Sequence, residues 1–101
     1  MIILYKEGEK KMTTDRAVLI LKMMANPIRI KILKVLAEKK PGICVGGMEE
    51  VLQIPQSSVS QHLAHLRNCG ILTCEKNGKK VCYKIIDDSI VEILKALKIE
   101  D

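Results

Sequence analysis

Apolar and polar positions along the chain alternate in a way that predicts five helices and two short strands. Residues 1–12 have no clear period, carry Gly8 among charges, and read as a flexible arm. Thr13-Thr14-Asp15 offers an N-cap for a first helix that runs to about Met24. That helix is apolar on more than one side, through Ala17, Val18, Leu19, Ile20, Leu21, Met23 and Met24. So much apolar surface on an outer helix predicts a second burial surface, most simply a dimer contact. Asn26 caps and Pro27 starts a second helix to about Lys39, with Lys31, Lys34 and Glu38 as its only clearly wet strip. Lys40-Pro41-Gly42 ends it.

Gly46 or Gly47 opens a short third helix to about Gln53, with Met48, Val51 and Leu52 expected inward. Ile54-Pro55 makes a tight turn, and Gln56 or Ser57 caps a fourth helix to about Asn68. Two short helices joined this way form a helix-turn-helix, and Gly70 suits the left-handed residue that ends the second of them. Ile71 to Glu75 and Val81 to Ile86 are β-rich and flank the hairpin signal Lys76-Asn77-Gly78-Lys79-Lys80. A last helix from about Asp87 to Lys98 shows one stripe of Ile90, Ile93, Leu94 and Leu97. The expected fold is mainly α with a β-hairpin wing: a winged helix-turn-helix of order α-α-α-α-β-β-α filling residues 13–101, with dimerisation through the first and last helices.

The fourth helix is the most informative. At about 100° per residue, Val59, Leu63 and Leu66 fall together and face the core. Gln61 lies opposite, with Ser57, Ser58, Ala64, His65 and Asn68 around it; Ser60 and His62 sit on the flanks. An ordinary surface helix carries Glu and Lys on its outer face, whereas this one has a single charge, Arg67. Amides and hydroxyls that both donate and accept suit base edges and phosphates. The DNA-contacting set is therefore Gln56, Ser57, Ser58, Ser60, Gln61, His62 and His65, with Lys76, Lys79 and Lys80 of the hairpin neutralising phosphates.

Composition agrees. A chain of 101 residues supports one domain. Its net charge of +5 favours a polyanionic partner. With two Tyr and neither Trp nor Phe, aromatic stacking on single-stranded nucleic acid has little to work with, so the expected partner is double-stranded DNA. No apolar run is long enough for a membrane span, and the chain reads as cytoplasmic. No paired carboxylates, nucleophile–base set or phosphate loop marks an enzyme.

Taken together, Ala25-Asn26-Pro27-Ile28-Arg29-Ile30-Lys31-Ile32-Leu33, Ser57-Ser58-Val59-Ser60-Gln61-His62-Leu63, Leu66-Arg67-Asn68-Cys69-Gly70-Ile71-Leu72 and the Gly78-Lys79-Lys80…Tyr83 wing resemble the ArsR/SmtB family of bacterial repressors over about residues 14–98. The resemblance implies a homodimer that binds an imperfect palindrome and blocks transcription. It also implies metal sites, and these match poorly. Soft-metal sensors resemble Glu-Leu-Cys-Val-Cys-Asp-Leu at the third helix, where this chain has Gly42-Ile43-Cys44-Val45-Gly46-Gly47-Met48: Cys44 survives, while the second thiolate is Gly46 and the Asp is Gly47. At the zinc and nickel type of site on the last helix Asp87 matches, but its partner His is Ser89.

Four cysteines remain, at Cys44, Cys69, Cys74 and Cys82, with no Cys-x-x-Cys among them. Buried small hydrophobes are their commonest role; four in so short a chain also make them candidate sensing thiols for oxidants, reactive sulfur, or a soft metal or metalloid. A two-residue Asn77-Gly78 turn pairs Cys74 with Val81, whereas a three-residue Asn77-Gly78-Lys79 loop sets Cys74 opposite Cys82. The expected function is a palindrome-binding repressor released through such thiols. The alternatives are a ligand-independent regulator and a winged-helix protein-interaction module.

Overall fold

The computed structural model describes residues 11–38 and 43–100. The residues expected to form the arm lie, as far as residue 10, outside the described residues, as does the whole Lys40-Pro41-Gly42 stop. Helix α1 (Thr14–Met24) begins where Thr13 Oγ1 accepts the Arg16 amide at 3.1 Å. Asn26 Oδ1 accepts the amides of Ile28 and Arg29 at 2.9 and 3.1 Å, which starts α2 (Pro27–Glu38). These two caps satisfy amides that helix geometry leaves without partners.

A two-residue strand, β1 (Ile43–Cys44), precedes α3 (Val45–Leu52) and has no periodicity from which it could be read. It pairs antiparallel with β3 (Lys80–Ile85), which also pairs with β2 (Leu72–Asn77), so the wing is a three-stranded sheet of order β1-β3-β2. Between α3 and α4 (Gln56–Asn68) the chain turns at Gln53, whose φ of 57° is left-handed, and at extended Pro55. Pro55, not Gln56 or Ser57, occupies the N-cap of α4, and no side chain caps it. The Pro55 carbonyl instead accepts from Ser58 and Val59 at 3.0 and 3.1 Å. Gly70, at φ 75°, ends the turn after α4 as expected. Helix α5 (Asp88–Leu97) closes the chain, capped by Asp87.

The wing loop differs from both readings of the hairpin. Only two residues, Gly78 and Lys79, separate the strands, and Asn77 pairs with Lys80. Gly78 alone of the two has positive φ, at 64°. Glycine at the first central position is the type II′ arrangement, which matches the right-handed twist of the flanking strands. An Asn77-Gly78 turn of type I′ requires positive φ at both residues, so the chain moves the loop one residue on and extends β2. Cys74 consequently faces Tyr83, and Cys82 faces Glu75. Cys74 and Cys82 stand on opposite faces of the sheet and are not an opposed pair.

The core is aliphatic and methionine-rich. Ile20, Ile32, Leu33, Met48, Val59, Leu63, Leu66, Ile71 and Ile90 are essentially inaccessible, joined by Met23, Met24, Leu36, Leu72 and Leu94. Every helix contributes, so α4 cannot shift without disturbing the others. One inward assignment fails. Val51 is 55% exposed, because eight-residue α3 holds itself down through Met48 and partly buried Leu52 along one line. Ala37 is exposed on the flank of the stripe made by Ile32, Leu33 and Leu36.

Leu63→Ala removes a fully buried side chain from the centre of α4 and is expected to cost about 2–5 kcal/mol in urea denaturation. Val51→Ala should cost less than about 1 kcal/mol; a larger loss would mean that α3 packs more deeply than the fold shows.

Candidate nucleic-acid interface

Packing fixes which face of α4 is available. Val59, Leu63 and Leu66 are buried, and this leaves Gln56, Ser57, Ser60, Gln61, His65 and Asn68 exposed, with Ser58 half-buried. Ser57 and Gln61 make no side-chain hydrogen bond among the described residues, so their donors and acceptors face solvent. A face of this kind, polar but almost uncharged, holds hydrogen-bonding capacity that water satisfies and a base edge can replace. The wing adds exposed Lys76, Lys79 and Lys80. Lys84, also exposed, reaches Glu75 at 3.8 Å, and both are so open to water that this pair adds little to stability.

His62 is placed differently from the other polar residues of α4. Its Nδ1 accepts the Nε proton of Arg29 at 3.2 Å, and Arg29 in turn touches the Met23 sulfur at 3.6 Å. Desolvation lowers the His62 pKa from the ordinary 6.5, and the positive charges of Arg29 and of His65 add to that. His62 is thus held neutral as an acceptor. It ties α4 to α2.

Arg16 makes a second tie, which sequence reasoning missed. From α1 its guanidinium donates to the Cys69 carbonyl at 2.6 Å and the Gly70 carbonyl at 3.3 Å, and it contacts Asp87 Oδ2 at 3.3 Å. Asp87 Oδ1 accepts from the Ser89 amide at 3.0 Å and from the Ser89 hydroxyl. One side chain therefore satisfies the carbonyls that end α4 and steadies the cap that starts α5. Burial pushes the Asp87 carboxyl up. The hydrogen bonds from Ser89 and Arg16, with the Arg16 charge, outweigh that and leave it below the ordinary 3.8. No local pattern pairs residue 16 with residues 69 and 87; the only signal was an arginine in the first turn of a mainly apolar helix.

The thiols are dispersed. Cys69 is half-buried against the core, and its carbonyl is the one that Arg16 holds. Cys74 is half-buried beside Tyr83. The Tyr83 phenol titrates above its usual 10.0 because of burial first, then the charge and hydrogen bond of Cys74, with Arg67 pulling the other way. Cys82 is buried and stands opposite Cys44 in the register of β1 and β3. No cluster of three His, Cys, Asp or Glu suited to a metal occurs among the described residues. At the last-helix position Asp87 is engaged by Arg16 and Ser89, and at the third-helix position Gly46 and Gly47 supply no ligand. Neither metal site that the resemblance implies fits these residues.

Comparison with known proteins agrees with this geometry. Residues 26–73, which contain α2, the helix-turn-helix and the start of β2, match the family described as bacterial regulatory protein, arsR family. The transcriptional repressor SmtB of Mycobacterium tuberculosis is 36% identical over 80 residues, 79% of this chain. The chain belongs to the arsR family. It spans 58% of the length of that repressor. It spans 90% of an HTH-type transcriptional regulator of Methanocaldococcus jannaschii, which is 38% identical over 80% of this chain. The transcriptional repressor PagR of Bacillus anthracis superposes with a TM-score of 0.76 at 33% identity, covering 83% of this chain and 94% of PagR. The arsR family consists of DNA-binding transcription regulators and not of enzymes, and no helix among the described residues is long and apolar enough to cross a membrane.

Both ties carry a pH signature. The lowered Asp87 pKa contributes stability that is present above about pH 3.8 and lost as pH falls through its folded value. Asp87→Ala should remove that acid-side dependence and cost about 1 kcal/mol at neutral pH in denaturant titrations. The lowered His62 pKa likewise favours the fold above about pH 6.5, and that contribution fades on acidification. Replacement by Gln should flatten the stability profile between pH 7 and pH 5; an unchanged profile would show that the Arg29–His62 contact does not couple to folding.

Proposed function

We propose that the protein is a cytoplasmic transcriptional repressor that binds a palindromic DNA operator as a homodimer and is released by chemistry at its cysteine thiols. The observation that carries DNA reading is the exposed, nearly uncharged polar face of α4, held on a helix-turn-helix beside a lysine-tipped wing. Gln61 and Ser57 read base edges; Gln56, Ser58, Ser60 and His65 contact backbone or flanking bases; Lys76, Lys79 and Lys80 neutralise phosphates. His62 holds the helix in position through Arg29. Several relatives named as repressors, SmtB of Mycobacterium tuberculosis and PagR of Bacillus anthracis among them, support repression.

Dimerisation rests on unpartnered apolar surface. Val18 and Leu21 on α1 are 43% and 56% exposed, and Leu97 on α5 and Ile86 before it are 54% and 53% exposed. A palindrome requires two α4 helices about 34 Å apart, one helical turn of DNA, and a second copy burying these residues supplies the second of them. Release falls to the thiols, because neither implied metal site has its ligands.

Footprinting with the dimer should protect two half-sites one turn apart. Gln61→Ala should weaken operator binding at least tenfold while leaving non-specific binding unchanged, since one good base contact is worth about 1–3 kcal/mol of discrimination. Joint replacement of Lys79 and Lys80 by Ala, which removes four lysines from the dimer, should lower the slope of log K against log salt by about four. Salt-insensitive binding with no preference for palindromic sites would point to a protein-interaction module and overturn the proposal.

A further inference from the structure

β1 brings two cysteine positions into register. In its antiparallel pairing with β3, Ile43 stands opposite Tyr83 and Cys44 opposite Cys82. Directly opposed residues of an antiparallel pair share a sheet face, with Cα atoms about 4.5–5.5 Å apart, inside the 4.4–6.8 Å window that a disulfide spans. The pairing is exclusive. Cys74 belongs to the other face, opposite Tyr83, and Cys69 ends α4 outside the sheet. β3 is the central strand, so Cys82 lies in one row between Cys44 and Glu75 and is only 7% exposed.

We propose that Cys44 and Cys82 are a redox-modification site that closes to an intramolecular disulfide under peroxide-class oxidants; its effect on DNA rests on the thiol-release reading above. The chemistry balances with hydrogen peroxide as the two-electron oxidant. The Cys44 thiolate attacks one peroxide oxygen, the O–O bond breaks, and the departing hydroxide takes a proton to leave as water. The Cys82 thiolate then attacks the resulting sulfenic sulfur, the S–O bond breaks, and a second water leaves. Both sulfurs are oxidised and the peroxide is reduced. Burial suits Cys82 to this second, resolving step, because its partner is one strand away whereas oxidant in solution reaches it poorly.

The site sits where a covalent bond changes DNA reading. β1 runs without a break into α3, the first helix of the helix-turn-helix, and β3 is the middle strand of the wing. A Cys44–Cys82 bond encloses α3, α4, β2 and the wing tip in one covalent ring, so the two DNA-contacting elements no longer adjust independently.

The test oxidises the full-length protein with hydrogen peroxide, maps its peptides without reductant, and measures operator affinity before and after dithiothreitol. Wild type and the Cys69→Ala/Cys74→Ala protein, which keeps the pair, should each show an intrachain Cys44–Cys82 link that dithiothreitol reverses. Operator affinity should fall about tenfold, within the usual range of coupling between sites. Cys44→Ala should abolish both effects. If peroxide releases DNA while Cys44 and Cys82 both stay open to alkylation, the pair is wrong and the thiol reading passes to Cys69 or Cys74. If the disulfide forms and affinity is unchanged, the modification site stands and thiol release fails.

Discussion

The arrangement depends most on the Arg16 guanidinium. The end of α4 and the start of α5 each present groups that helix geometry leaves unsatisfied, carbonyls on one side and a capping carboxylate on the other. Arg16 meets both from a third helix, contacting the Cys69 and Gly70 carbonyls and Asp87. Its planar fork of donors suits this, and a lysine, with a single point charge, could not bridge the same groups with equal geometry. The first helix, the recognition helix and the last helix are thereby registered to one another at a single point. The surfaces proposed for dimerisation and the surface proposed for DNA are mechanically one unit.

A second division of labour runs across α4 itself. Its inner residues are wholly aliphatic, its flank is tied down by neutral His62 on Arg29, and its outer face is left with amides and hydroxyls. In the proposed function, attraction to a polyanion comes from lysines on the wing and elsewhere, and discrimination comes from uncharged groups on the helix. Charge acts at long range and without regard to sequence, whereas hydrogen bonds act only in contact.

Much of this was legible in the sequence because it rests on local periodicity and local caps. The five helices, Thr13 and Asn26 as caps, left-handed Gly70, and buried Val59, Leu63 and Leu66 follow from spacing and residue type alone. What escaped was non-local. The two residues of β1 are too few to show a period and exist because β3 offers an edge. The wing register turned on whether Asn77 or Gly78 takes the first turn position, a one-residue choice that flips every side chain between faces. The clamp from Arg16 to Asp87 joins residues 71 positions apart, and the facing of Cys44 and Cys82 joins strands separated by the whole helix-turn-helix.

The scarcity of aromatic residues, which shaped the core, also leaves the molecule with an intrinsic optical reporter. With no tryptophan, near-ultraviolet emission comes from Tyr5 and Tyr83 alone. Tyr83 is half-buried on the central wing strand, opposite Cys74 and within the field of Arg67 at the end of α4. Its quantum yield and its phenolate absorbance therefore register the junction between the two elements proposed to meet DNA. That junction can be followed in solution without attaching a dye to a protein whose thiols are themselves of interest.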